Sequence, residues 1–421
     1  MLVFFEGQIA TLHHLLTSSP PYRIFAMTTP EKLPRLRLQK GREKRVRSGH
    51  PWIFSNELQA VPPLAPGIIV AVDDPGGEPM GLGYYNPHTL IAVRWLQRGG
   101  DELPERWVEE RIERAVERRR ALYPGEDCAR LIFGEADGLP GLVADRYGSS
   151  LSVQVLTAGM ERLRPRVEET LRSLIQPEVL VRRDDSPMRE MEGLPRSVQV
   201  VPEGARAEAP VDYLGLKLYV PLEEGQKTGL FLDQRENVKR FVSLLSPGAV
   251  VLDNFCYQGV WGMAALKAGA AACDFVDASM TACERVEAAL RANGLRSSTV
   301  HNGDAFDVLT GLRRDGRRFD AVVCDPPAFA KSKKHLSEAL KAYQRLNEMA
   351  MGLVKPGGLL VSCSCSHHVS REDFREVLRA AAVRSRREAQ LLDFHGAAPD
   401  HPVVLSFPEG DYLKAAFIRM S

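Results

Sequence analysis

The stretch Phe319 to Lys331, FDAVVCDPPAFAK, constrains this chain more than any other. Ala321-Val322-Val323-Cys324 is an apolar run that reads as a buried parallel strand. It stops at Asp325, because neither Pro326 nor Pro327 can donate to a strand ladder. An acid is thereby left at the carboxyl end of a central strand, which is where ligands bind in open α/β sheets. A second apolar strand, Leu359-Leu360-Val361-Ser362-Cys363, follows a helix-like segment and ends at Ser364-Cys365-Ser366. The two strand ends are expected side by side, an acid next to a thiol.

Past Glu236 the chain alternates strictly between strand and helix. Strands are predicted at Ala249 to Asp253, Cys273 to Asp277, Thr299 to His301, Phe319 to Asp325 and Leu359 to Cys363, with a late strand at Tyr412 to Arg419. This pattern predicts an α/β, doubly wound sheet built from βαβ units. Val250-Val251-Leu252-Asp253 ends a strand, and Asn254-Phe255-Cys256-Tyr257-Gln258-Gly259-Val260-Trp261-Gly262 turns into a helix. Glycine there lets backbone approach a nucleoside, or permits close helix packing. The next strand ends in Asp277, where an acid can take both ribose hydroxyls. The one after leads to Asn302-Gly303-Asp304-Ala305, suited to an adenine amine and ring. The three strand ends together resemble a class I S-adenosylmethionine methyltransferase. NAD or FAD is the rival, but the loop departs from G-x-G-x-x-G and no pyrophosphate cradle is evident.

A chain of 421 residues is long enough for two or three domains. Acidic and basic residues nearly balance, so net charge does not point to nucleic acid. Local charge does. From Lys32 to Arg47 the residues Lys32, Arg35, Arg37, Lys40, Arg42, Lys44, Arg45 and Arg47 face a single acid, Glu43. An isolated basic run is usually a solvated surface; one that opens a domain suggests phosphate contacts. A basic strand, then Gly49-His50-Pro51-Trp52-Ile53-Phe54, then short strands at Ile68 to Val72 and Ile91 to Leu96, resembles the PUA domain, an RNA-binding β-barrel. Trp52 and Phe54 read as core. Lys40, Arg42, Arg45 and Arg47 are the candidate RNA contacts. An amphipathic helix from Asp101 to Tyr123, strands, a second helix and two further strands then predict a small α+β connector. The expected division is an extension over 1–27, a PUA domain over 28–102, a connector over 103–205 and a methyltransferase domain over 206–421. Residues before Met27 read as disordered or as outside the native product.

The seven cysteines are scattered, odd in number and without C-x-x-C spacing, which argues against a disulfide framework or zinc site and for a reducing, cytoplasmic setting. No metal is expected. No apolar run is long enough to span a bilayer. Glu6 and the lack of a basic leader argue against a signal peptide.

The acid and thiol suggest a particular chemistry. Cytosine C5 is too weak a nucleophile to attack a methyl sulfonium. A thiolate adding to C6 makes C5 enamine-like. A second group must hold N3 or the exocyclic amine, and a base must remove the C5 proton. Cys365 and Asp325 fit the first two roles. Cys324 and Cys256 read as inert packing, and Cys363 as still within the buried strand. A free thiol titrates near 8.5, so Cys365 needs help to ionise.

With these residues in hand, the chain resembles the RlmI-type ribosomal RNA large-subunit cytosine-5 methyltransferases, over nearly everything after Met27. Gly49 to Ile53, Thr228 to Glu236, Asp253 to Gly259, Asp325 to Lys331 and Ser364-Cys365-Ser366 carry the likeness. The resemblance implies Cys365 as nucleophile, S-adenosyl-L-methionine as cofactor and large-subunit ribosomal RNA as partner, with room for a homodimer. The cofactor set it implies is Thr228, Phe231, Arg235, Asp253, Phe255, Cys256, Gly259, Asp277, Ser279, Asp304, Ala305 and Asp325. Phe329 could stack on an extruded base or pack under its loop, and Lys331 could contact phosphate. Many RNA cytosine-5 methyltransferases carry a second cysteine where this chain has Ala328, so the proton-removing base is unassigned. The rivals are methylation of a base amino group, for which D-P-P with an aromatic also serves, and a non-catalytic RNA-binding assembly factor.

Overall fold

The computed structural model describes residues 33–224, 229–330 and 332–421. The expectations for residues 1–27, Thr228 and Lys331 lie outside the described residues. At the amino end, β1 (Arg35–Arg37), β2 (Trp52–Phe54), β3 (Ile68–Asp73), β4 (Pro79–Tyr85) and β5 (Ile91–Arg98) lie in the order β1-β3-β4-β5-β2. The backbone beyond β1 then bonds the backbone beyond β2: Gln39 N–H donates to the Glu57 carbonyl and Gln59 N–H to that of Arg37, both at 2.8 Å. This closes the sheet into a small barrel. The basic stretch is not one strand, as the sequence suggests. After β1, Gly41 turns the chain at a φ of +83°, and Glu43–Arg47 forms the short helix α1, which buries Val46 and leaves Lys44 and Arg47 outside.

The next segment holds α2 (Trp107–Leu122), β6 (Cys128–Phe133), β7 (Leu142–Tyr147), β8 (Ser150–Val155), α3 (Ala158–Ile175), β9 (Val179–Asp184), α4 (Met188–Met191) and β10 (Ser197–Val201). Its strands lie in the order β10-β9-β8-β7-β6. Trp107, Val108, Ile112 and Val116 are buried, as the apolar stripe of the sequence requires, and they share a core with Leu131, Leu151 and Leu180 of the sheet.

A hairpin of β11 (Glu208–Tyr213) and β12 (Leu216–Pro221) precedes α5 (Arg235–Ser243). Then follow β13 (Val250–Asn254), α6 (Val260–Lys267), β14 (Ala272–Asp277), α7 (Met280–Ala292), β15 (Ser298–Asn302), α8 (Ala305–Arg314), β16 (Phe319–Cys324), α9 (Leu336–Leu353), β17 (Val354–Ser364), α10 (Arg371–Ser385), β18 (Ala389–His395) and β19 (Lys414–Met420). The sheet order is β15-β14-β13-β16-β17-β19-β18, parallel from β15 to β17 and antiparallel where β19 joins β17 and β18. The continuous apolar runs are explained by this burial on both faces. Val251, Val323 and Val361 pack into one layer, while Leu252, Val322 and Leu360 pack into the other. β13 and β16 are neighbours but not consecutive, so the strand order reverses between them. The crevice outside their carboxyl ends is the topological switch point. Among the described residues, no helix is long and apolar enough to cross a membrane.

Candidate active site

At that switch point lies a cavity of about 320 Å3. Its wall includes Phe231, Gln234, Phe255, Cys256, Tyr257, Gln258, Asp277, Ser279, Asp325, Pro326 and Cys365. Asp325 follows β16 directly, and Cys365 follows β17 directly. The parallel pairing of those strands, Cys324 opposite Ser362, brings acid and thiol to one place.

Asp325 is gripped from behind. Its Oδ2 accepts from Gln234 Nε2 at 3.0 Å and from the Trp261 indole N–H at 3.3 Å. Asn237 Nδ2 donates to Gln234 Oε1 at 2.6 Å, which turns the Gln234 amide so that its N–H faces the carboxylate. Two donors on one oxygen favour the ionised acid. The thiol loop is tied to the acid loop. The Cys365 thiol points at the Pro326 carbonyl at 3.9 Å. Ser366 Oγ accepts from the Ala330 N–H at 3.1 Å and bonds the Tyr343 hydroxyl at 2.9 Å. Phe329 is half-buried and packs on the Tyr343 ring, 4.6 Å between centroids.

Of the seven cysteines, Cys365 is partly exposed and the other six are buried. Burial pushes the Cys324 thiol up to about 12 and the Cys256 and Cys363 thiols well above the ordinary thiol range. Those sulfurs are protonated packing groups at neutral pH. Cys256 nonetheless contributes to the cavity wall.

Asp277 ends β14 with both oxygens in use by backbone. Oδ2 accepts from Tyr257 N–H at 2.9 Å and Oδ1 from Ser279 N–H at 2.8 Å. A carboxylate offers about four lone-pair sites, so both oxygens can accept again. The loop between β13 and α6 carries backbone strain. Phe255 and Tyr257, neither a glycine, sit at φ +64° and +49°. Strain of that kind clusters where a loop grips a ligand.

Other residues in the predicted cofactor set do not reach the cavity wall. Arg235 is fully buried, bonded to Glu126 and to the Cys128 carbonyl, and stacked on Tyr123 and Tyr213. It ties α5 to the preceding domain. Asp304 caps α8, accepting from the Phe306 N–H, and Ala305 is buried in that helix. The third strand end does not line this wall. Asp253 is enclosed, with Oδ2 accepting from Gly262 N–H at 2.9 Å. Burial, with Asp325 and Asp277 nearby, pushes it up to about 7. Gly259 sits at φ +71°, and a methyl group on its Cα would meet the Phe275 and Val286 side chains at 3.1 Å, so close packing explains it.

The sequence alone does not reveal Gln234, Trp261 and Gln258. A signal exists for the first two. Gln234 precedes a helix and Trp261 sits in the first turn of another, both within or beside the motif stretches, but neither is a charged or nucleophilic type.

Along the basic segment, Lys40 and Arg42 are exposed. Arg45 bonds Glu57 at 2.6 Å and the Trp52 carbonyl at 3.1 Å, over the Phe54 ring. Arg47 pairs with Asp74 at 2.5 Å. Trp52 is not plain core. Its indole donates to Glu135 of the connector at 2.7 Å, and Phe407 packs on it at 4.6 Å.

Residues 36–98 match the family described as PUA-like domain, and residues 208–409 match S-adenosylmethionine-dependent methyltransferase. A curated relative from Shewanella denitrificans, named ribosomal RNA large subunit methyltransferase I, is 37% identical over 398 residues, covering 92% of this chain and 99% of its own length. A relative of the same name from Serratia proteamaculans is 35% identical with the same coverage of both chains. The chain belongs to the ribosomal RNA large subunit methyltransferase I family. Two solved structures share its fold over 92% of this chain and 100% of theirs. One is from Streptococcus mutans, with a TM-score of 0.78 and 19% identity. The other is complexed with SAH, with a TM-score of 0.79 and 20% identity. As a family member the chain is an S-adenosylmethionine-dependent methyltransferase with an amino-terminal PUA-like domain.

The cavity suits that cofactor. It lies within the usual size range of ligand pockets, about 300 to 1,000 Å3. Its wall offers Asp277 as a hydroxyl acceptor and the Phe231, Phe255 and Tyr257 rings as apolar surface. Gln258 is buried at 3% exposure, and its Nε2 has no partner among the described residues. A buried amide donor facing a cavity is costly unless an acceptor arrives there. Among the described residues, no group of three or more His, Cys, Asp or Glu side chains could hold a metal ion.

Proposed function

We propose that this protein methylates C5 of a cytosine in large-subunit ribosomal RNA, through a covalent adduct between Cys365 and C6. The observation that carries this reading is the meeting of Cys365 and Asp325 on the wall of one cavity. The names of the curated relatives support large-subunit ribosomal RNA as substrate. The closed amino-terminal barrel, with Lys40 and Arg42 outside, supports an RNA contact there.

S-adenosylmethionine, when bound, supplies a methyl group on a sulfonium, with Asp277, Ser279, Phe231, Phe255 and Cys256 around it. The work of the chain's own residues is to prepare the base. A target in paired RNA must first leave its stack, at about a few kcal/mol. Asp325, held ionised by Gln234 and Trp261, accepts from the exocyclic amine and fixes the ring. The Cys365 thiolate forms the S–C6 bond as the C5–C6 π bond opens and its electron pair moves to C5. After C5 has gained the methyl group, a base takes the C5 proton, the π bond re-forms and the S–C6 bond breaks.

Bisulfite mapping of ribosomal RNA from cells with and without the protein tests this. One protected cytosine should appear in the wild type and vanish in the deletion strain. Identical maps from the two strains defeat the proposal.

A further inference from the structure

Lys414 is a buried ammonium that the chemistry above leaves unused. It opens β19, is 1% exposed, and stands opposite Ser364 in the antiparallel register with β17. Its Nζ donates to the carbonyl of Ser366 at 2.7 Å and to that of Val369 at 2.8 Å. It is therefore bracketed around the thiol, since its backbone pairs with the residue before Cys365 and its ammonium bonds the residue after. Both partners are neutral carbonyls. No carboxylate lies within ion-pair distance of Nζ among the described residues. A buried ammonium without an anion is unfavourable, so the site is waiting for negative charge.

We propose that Lys414 is the positioning residue that holds Cys365 as a thiolate. The inference rests on the nucleophile role proposed above. The charged and titratable groups around this pair divide as follows. Asp411 and Asp373 add negative potential at the ammonium, but Asp411 is bonded by Arg371 at 2.9 Å and Asp373 is engaged in capping α10. Arg371 opposes the ammonium, and His367 is neighboured by it. Tyr343 and Tyr412 stay protonated, because burial and the Cys365 charge both push their hydroxyls up. Asp325 lies on the cavity wall, and Cys363 is buried in the core. Among these, a Cys365 thiolate is the largest favourable charge that Lys414 meets. A charge–charge attraction is mutual, so what steadies the ammonium steadies the thiolate equally. Burial draws the ammonium down to about 8, which still leaves it mostly charged at neutral pH. Its two carbonyl bonds also fix the 366–369 loop, so charge and position come from one side chain.

The test is alkylation of Cys365 by iodoacetamide across about pH 6 to 10 in the full chain, read by peptide mapping, in wild type, Lys414→Gln and Lys414→Met. The glutamine keeps a donor for the Ser366 carbonyl without the charge. The proposal expects a wild-type midpoint below the free-thiol value of about 8.5. It expects a rise of about one unit in both variants, roughly tenfold less thiolate at neutral pH. SAH binding by calorimetry reports whether each variant remains folded. A folded Lys414→Gln protein with an unmoved midpoint overturns the inference. So does a wild-type midpoint at or above the free-thiol value, which needs no variant. Failure of the underlying reading looks different: Cys365→Ser would still methylate RNA while the wild-type midpoint stayed low.

Discussion

At the carboxyl edge of the sheet, polar side chains from different elements converge on one cavity, whereas along the basic segment the cations part company. Gln234 from before α5, Trp261 from α6, Asp325 after β16 and Cys365 after β17 all face a common space. In the segment Lys40 to Arg47, Lys40, Arg42 and Lys44 face outward, while Arg45 and Arg47 are engaged by carboxylates of their own domain. The difference has a physical origin. Parallel strands in register deliver their ends to one place whatever the side chains are, so the residues just beyond them are brought together by backbone hydrogen bonding. A run of charge on a loop and a short helix has no such constraint. There an arginine goes to whichever carboxylate is near, as Arg45 and Arg47 go to Glu57 and Asp74.

The comparison is broken most severely if the convergence at the sheet edge proves idle. Cys365→Ala should lower methyl transfer by roughly 10^3-fold or more while SAH binding by calorimetry is retained. Cys363→Ala, two residues upstream in the buried strand, should leave turnover near wild type and lower only stability, by about 1 kcal/mol. Equal losses in the two variants would mean that position at the edge carries no special chemistry. Next in size is the acid. Asp325→Asn should reduce kcat by about 10^2-fold or more. Gln234→Leu, which removes one of the donors holding it ionised, should cost roughly tenfold and move the acid limb of the pH–rate profile upward. A profile that stays in place would show that Gln234 only fills space.

The basic segment is sharpened by pairing its outward and inward members. Lys40→Ala with Arg42→Ala should weaken RNA binding and reduce the salt dependence of affinity by about one in log–log slope per cation, with the thermal midpoint unchanged. Arg45→Ala should instead lower stability by roughly 1–3 kcal/mol, because a part-buried guanidinium bonded to Glu57 and Trp52 leaves those groups unsatisfied. If all four positions behave alike in an RNA titration, the division seen in the structure has no consequence for binding.

How much of this is legible in the residues follows the same line. The central strands β13, β16 and β17 can be read because each carries a short apolar run, which a sheet covered on both faces requires. β18 cannot, since Ala389 to Leu392 are exposed and show no alternation. β4 is hidden for another reason. Its PMGLGYY lacks β-branched residues, yet Gly81 must be glycine there, because a methyl group would meet the Gln97 carbonyl at 2.2 Å. Asp325 and Cys365 are readable because proline and strand length place them. Arg235 and Asp304 lie off the cavity wall, with partners in Glu126 and the Phe306 N–H, because residue type does not say which partner a side chain meets. Gln234 and Trp261 escape because uncharged donors leave no mark in a sequence until the acid they serve is located in space.

The smallest effect concerns Asp253, enclosed between the two regions of the sheet edge that act. Its carboxyl is pushed up to about 7, from an ordinary value near 3.8, mainly by burial, while the Gly262 N–H pulls the other way. The sign follows from which state holds the proton. Below the ordinary value both folded and unfolded chains are protonated here, and the contribution to stability is fully present. As pH rises toward 7 the unfolded chain releases its proton and the folded chain keeps it, so stability falls across that window and levels off above it. Asp253→Asn removes the titration and should flatten the decline, by an amount on the order of 1 kcal/mol or more between about pH 5 and 8. Urea unfolding at those two conditions, in wild type and variant, measures it. A wild-type protein that gains stability over that interval more steeply than the variant would show that Asp253 is ionised within the fold, and that the cavity edge is wetter than its enclosure implies.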